Sequence, residues 1–240
     1  MARRPKVSRT VPARRRAGLL QPRDVEVLEF LSAVRYALPR QVLLAVGIPS
    51  LDATRRLLRR LFDQRLVVAH VLDSRHPNLA SLSREGAETL KRERTDAAVR
   101  IRPTGPIKVA DVPRHLRLTD ARLWAAAFLA DRGTPLLRWL TTTTDGRYGL
   151  VGVQPDAVLE FAVPGGVAAV AVEADARTTA ADSIVRRLSA YRRVADAGRL
   201  DALWIATSSN NARVEAVEGR LKEFGLDAWA RVLPLDVLLR

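Results

Sequence analysis

Three carboxylates have the spacing that could do chemistry. Glu173 and Asp175 stand two residues apart at the end of the apolar run VAAVAVEAD, and Asp156 lies 17 residues before Glu173, in QPDAVLEF. Mg²⁺ takes carboxylate oxygens plus water, and a cation held there stabilises the charge that develops as a phosphodiester is cut. The same acids also suit a plainer role. Asp156 follows Pro155 at a strand start, a common turn position. Glu173 and Asp175 can rim a sheet or cap the next helix.

A second set of residues suggests binding rather than cutting. In DATRRLLRRLFDQR the apolar positions Leu57, Leu58, Leu61 and Phe62 recur at helical spacing, and Arg55, Arg56, Arg59 and Arg60 fall on the other face. Arginine pairs bidentately with guanine in the major groove or holds phosphates.

These residues need elements to position them. Pro22 predicts the start of a helix with Asp24 and Glu26 in its first turn, where the dipole favours acids. Its apolar face is Val25, Leu28, Leu31 and Ala33 or Val34. PRQVLLAVG (39–47) reads as a second helix closed by Gly47. The arginine helix follows, with Ser50 or Asp52 as its cap. LVVAHVL (66–72) and LASLS (79–83) read as strands around the turn DSRHPN, and REGAETLKRE (84–93) as a helix. This is the order of a winged helix-turn-helix, with the third helix as reader and Arg75 and His76 at the wing tip. Duplex DNA is the expected partner, since a helix cannot enter the deep, narrow groove of A-form RNA.

In the second half Thr119 or Asp120 can cap a helix with the stripe Leu123, Trp124, Ala127, Phe128 and Leu129, ended by Gly133. Strands are predicted at 136–144, 154–163 and 167–175, the last two joined by the hairpin dipeptide Gly165-Gly166. A helix at 183–197, a strand at 202–208, a helix at 211–225 and a strand at 229–235 complete the order. Pro234 places the final strand at an edge, because it has no N–H for a ladder. The expected fold class is α/β (α+β): a basic arm over 1–21, a winged helix over 22–94, a linker over 95–116, and an α/β domain over 117–240.

Charge divides the chain in the same place. Residues 1–117 hold 25 of the 40 Lys and Arg and 11 of the 26 Asp and Glu, so the whole net charge of +14 lies there. That asymmetry suggests a polyanion-binding module joined to a neutral one. The first 21 residues, with Arg14, Arg15 and Arg16, contain no acid and suit an arm that tracks phosphates. The absence of cysteine excludes disulfides and thiolate zinc sites. No run of 18 uncharged apolar residues is present, and the start lacks an apolar signal core. A cytoplasmic, DNA-associated protein, binding as a monomer or a homodimer, is the expectation.

The order of elements from 117 onward resembles the core of the restriction-endonuclease-like, PD-(D/E)xK superfamily. Pro155-Asp156 and Glu173-x-Asp175 carry that resemblance. It implies that Asp156 and Glu173 hold Mg²⁺ and that a lysine two residues after the glutamate helps activate water. Here Asp175 stands in that place. The nearest cations, Arg186 and Arg187, stay protonated and make poor bases. Nearly the whole chain is similar to the replication-relaxation family of bacterial plasmids and mobile elements. That similarity rests on PRDVEVLEFL (22–31), LFDQRLV (61–67), His115-Leu116, Pro155-Asp156 and EADART (173–178), with Tyr191 on the following helix and Arg186 or Arg187 in place of a lysine. It implies a DNA-binding protein of replication or mobilisation with a nuclease-like domain; with Asp175 in the lysine's place, that domain is read as inactive or structural. The alternative is a Mg²⁺-dependent endonuclease using Asp156 and Glu173, with Asp175 beside them.

Overall fold

The computed structural model of the chain describes residues 20–71, 78–94, 108–141, 148, 150, 153–175 and 181–235, with side chains from 187 onward in the last span. The expected arm with Arg14, Arg15 and Arg16, the turn with Arg75 and His76, most of the expected linker, residues 176–178 and the Arg186 side chain lie outside the described residues. The chain divides into two compact units, residues 1–116 and 117–240.

The first unit contains helices α1 (Pro22–Ala33), α2 (Pro39–Val46) and α3 (Leu51–Asp63), strands β1 (Val67–His70) and β2 (Leu79–Leu82), and helix α4 (Arg84–Glu93). Local chemistry sets each start. Prolines lead α1 and α2, where the missing N–H costs nothing. The Asp24 carboxylate accepts the Gln21 N–H at 3.0 Å, and Gln41 Oε1 accepts the Leu38 N–H at 2.8 Å. Ser50 and Ser83 cap α3 and α4 by accepting the amides of Ala53 and Gly86. Gly47 ends α2 at φ 64°, in the left-handed region. β1 and β2 pair antiparallel from Val67↔Leu82 to His70↔Leu79, and Ala37 and Ala80 exchange backbone hydrogen bonds beside them. Leu28, Leu31, Tyr36, Leu61, Leu79, Leu82 and Leu90 are fully buried. Gly86 is where α4 meets the backbone of Leu66: a Cβ there would sit 2.1 Å from the Leu66 carbonyl oxygen.

Helix α5 (Val112–Ala130) begins well before the expected caps Thr119 and Asp120. Pro113 lies in its first turn, where proline is tolerated, and a 3₁₀ turn over Val109–Asp111 leads into it. Thr119 and Asp120 are therefore buried inside the helix. Its buried face is Leu118, Ala121, Ala125 and Leu129; Trp124 and Phe128 are half-buried, and Ala127 is exposed.

The second unit is built on a five-stranded sheet of order β3-β4-β5-β6-β7. Its strands are β3 (Leu136–Leu140), β4 (Ala157–Val163), β5 (Gly166–Ala174), β6 (Ala202–Thr207) and β7 (Ala230–Pro234). β3, β4 and β5 run antiparallel, and β5, β6 and β7 run parallel. The β4–β5 hairpin turns at Gly165, φ 87°. The parallel strands need crossovers, supplied by α6 (Ala181–Asp196) and α7 (Asn211–Glu223). Both pack on one face, where Val158, Ala171, Leu203 and Ile205 meet Leu188, Tyr191, Val217 and Leu221. On the other face the rings of Trp124 and Phe128 from α5 meet Trp204 in T-shaped contacts. β7 is an edge strand. No described helix is long and apolar enough to cross a membrane.

Candidate functional site

The three acids meet at the C-terminal end of β5. The antiparallel register Ala157↔Val172 carries Asp156 to the level of Glu173. One Asp156 oxygen accepts the Ala174 N–H at 2.8 Å. Glu173 near the end of β5 and Asp175 just past it lie on the same face, the one covered by α6 and α7, since residues two apart in extended chain share a side. Both are buried, at 5% and 3% exposure.

A buried carboxylate needs a partner, because loss of hydration otherwise costs several kcal/mol. Glu173 has two: Arg187 donates to Oε2 at 2.5 Å, and the Tyr191 hydroxyl to Oε1 at 2.8 Å. Asp175 has more. Arg213 of α7 grips it bidentately, Nε to Oδ2 and Nη2 to Oδ1, each at 2.6 Å. Thr207 at the end of β6 donates to Oδ2 at 2.9 Å. The backbone joins in as well: the Asp175 N–H donates to Ala206 O at 2.8 Å, and Arg117 of α5 donates to the Asp175 carbonyl. The end of β5 is thereby tied to α5, α6, α7 and β6. A small cleft beside it is lined by Glu173, Asp175, Arg187, Leu188, Tyr191, Leu203 and Ile205.

These contacts set the protonation states. Burial pushes the Asp175 carboxyl up. The hydrogen bonds from Arg213 and Thr207 and the charges of Arg213 and Arg117 outweigh it, so the group lies below its ordinary value. Arg213 is raised by its hydrogen bonds to Asp175 against a smaller opposing effect of burial. Tyr191 is held well above the usual phenol range, first by burial and then by the charge of Glu173. It remains a neutral donor and is a poor candidate for a phenolate nucleophile.

The donor set does not fit Mg²⁺. The cation needs several oxygens with open geometry, whereas both oxygens of Glu173 and both of Asp175 already accept hydrogen bonds from cations or hydroxyls. Among the described residues no group of three His, Cys, Asp or Glu is placed to hold a metal ion. Asp156, Glu173 and Asp175 stand together at this strand end, with the guanidinium groups of Arg187 and Arg213 on Glu173 and Asp175. Asp175, standing where a lysine was expected, is the partner of Arg213. Its role was not legible because Arg213 lies 38 residues away, on a different helix.

In the first unit α3 exposes Arg55, Arg56 and Arg59. Arg55 and Arg59 make surface pairs with Asp52 and Asp63 of the same helix at 3.4 and 3.3 Å. Such pairs are worth little and exchange readily for a phosphate. Arg60 departs from the expected group: it pairs with Asp24 of α1, whose side chain is only 2% exposed. The model of a family described as replication-relaxation matches residues 28–202 of this chain. No curated protein and no solved structure matches it.

Proposed function

Since the chain belongs to the replication-relaxation family, we propose that it serves replication or mobilisation of a plasmid or mobile element by binding duplex DNA through its first unit. That unit, α1 to α4 with the β1–β2 hairpin, is read as a winged helix. The observation that carries the reading is the exposed Arg55–Arg56–Arg59 face of α3, a capped helix in the half of the chain that holds all of the net charge of +14. Thirteen residues of α-helix span about 20 Å, enough to lie along a major groove. A homodimer would offer two such helices to half-sites about one helical turn apart.

We read the second unit, from its order α5-β3-β4-β5-α6-β6-α7-β7, as a restriction-endonuclease-like core. We read it as a scaffold rather than a Mg²⁺-dependent nuclease, because Glu173 and Asp175 are paired with Arg187 and Arg213. Mixed-sequence duplex should bind with an affinity that falls steeply with salt. Arg55→Gln, Arg56→Gln and Arg59→Gln together should remove up to about three phosphate contacts from the salt slope. An unchanged slope would defeat the assignment to α3. Incubation of supercoiled DNA with Mg²⁺ or Mn²⁺ should leave it intact. Cleavage that disappears in both Asp156→Ala and Glu173→Ala would establish the endonuclease instead.

A further inference from the structure

Asp24 and Arg60 are 36 residues apart and meet across the first unit. Asp24 is the third residue of α1. One of its oxygens closes the N-terminus of its own helix on the Gln21 N–H at 3.0 Å, and the other accepts from the Arg60 guanidinium. The carboxylate is 2% exposed and the Arg60 side chain 41%. Arg60 thus differs from its neighbours on α3. Arg55 and Arg59 pair only with exposed acids of their own helix, and Arg56 makes no ion pair among the described residues. Those three can turn to a polyanion without leaving a buried charge behind. Arg60 cannot, since its departure would strand the Asp24 carboxylate in the interior.

We propose that Arg60 does not contact DNA but is a positioning residue: with Asp24 it fixes the roll of α3 against α1 and so aims Arg55, Arg56 and Arg59 at base edges. The proposal rests on the reading of α3 as the DNA-contacting helix. Side-chain heads lie about 5–6 Å from a helix axis, so a roll of about 10° moves them by about 1 Å. That is enough to spoil a bidentate hydrogen bond to a base, while a flexible arginine still finds a phosphate. Loss of the Asp24–Arg60 pair therefore lowers discrimination between sequences more than it lowers charge-driven binding.

The test uses the full chain and a randomised pool of DNA duplexes, from which a preferred site is selected and compared with mixed-sequence duplex by fluorescence anisotropy over a range of salt. For Arg60→Gln the preference for the selected site should fall by on the order of tenfold, the cost of a spoiled base contact. Its salt slope on mixed-sequence duplex should stay that of the parent, and Arg60→Lys should restore part of the preference. Arg56→Gln should lower the slope by about one phosphate. If Arg60→Gln melts too low to assay, Asp24→Asn with Arg60→Gln removes both charges and carries the same expectation. The proposal falls if Arg60→Gln lowers the salt slope as Arg56→Gln does, if it leaves the site preference intact, or if the parent protein binds duplex with no preference. A parent protein that binds no duplex at all overturns the reading of α3 itself.

Discussion

Asp175→Asn removes one charge from the end of β5 while keeping the shape of the side chain. The carboxylate is 2% exposed and receives three side-chain hydrogen bonds, two from Arg213 and one from Thr207. Breaking a buried ion pair by removing one partner costs about 3–5 kcal/mol. The Arg213 side chain is 28% exposed, so part of its lost interaction returns as hydration. The lower end, about 3 kcal/mol, is therefore expected for Asp175→Asn. Arg213→Gln should cost more, because the carboxylate it abandons cannot reach water. In thermal unfolding followed by circular dichroism, about 3 kcal/mol corresponds to a fall of about 10 °C in the transition of this unit. The pH dependence gives a second handle. The folded-state pKa of Asp175 is depressed, so its contribution is fully present above the unfolded value of about 3.9 and is lost as pH falls through the lower folded value. The gap between parent and Asp175→Asn should be full at neutral pH and shrink below about pH 4. A variant that melts with the parent, or a gap that is as wide in acid as at neutrality, would refute the account of Asp175 as a structural anchor.

Two further substitutions probe other parts of the structure. Tyr191→Phe removes one hydrogen bond from Glu173 but leaves Arg187 in place, so a loss of about 1 kcal/mol is expected by chemical denaturation. A much larger loss would mean that the Arg187 pair does not suffice for Glu173. Gly86→Ala places a Cβ against the Leu66 carbonyl at 2.1 Å and should destabilise the first unit by about 3 kcal/mol through overpacking against backbone. An alanine variant with parental stability would show that α4 can shift away from Leu66 at little cost.

Much of the fold was legible because its signals are local. The proline that opens α1, the serine cap of α3, the glycine turn between β4 and β5 and the edge proline of β7 each act within a few residues of themselves. Helical spacing on α3 separated Leu58 and Leu61 from the arginine face, and both leucines are buried. The start of α5 was misread because two polar residues that resemble a cap, Thr119 and Asp120, lie inside a longer helix. Nothing within the adjacent sequence distinguishes a capping aspartate from a buried one.

Within the candidate site the sequence by itself determined which residues stand at the end of β5, because strand alternation and the hairpin turn bring Asp156 beside Glu173. Only the tertiary structure decided what those acids do. Charge–charge partnership depends on which distant helix packs over a strand end, so Asp175 met Arg213, Glu173 met Arg187 and Asp24 met Arg60. A sequence shows four similar arginines on α3. Burial of Asp24 singles out one of them, because a carboxylate removed from water must keep its cation.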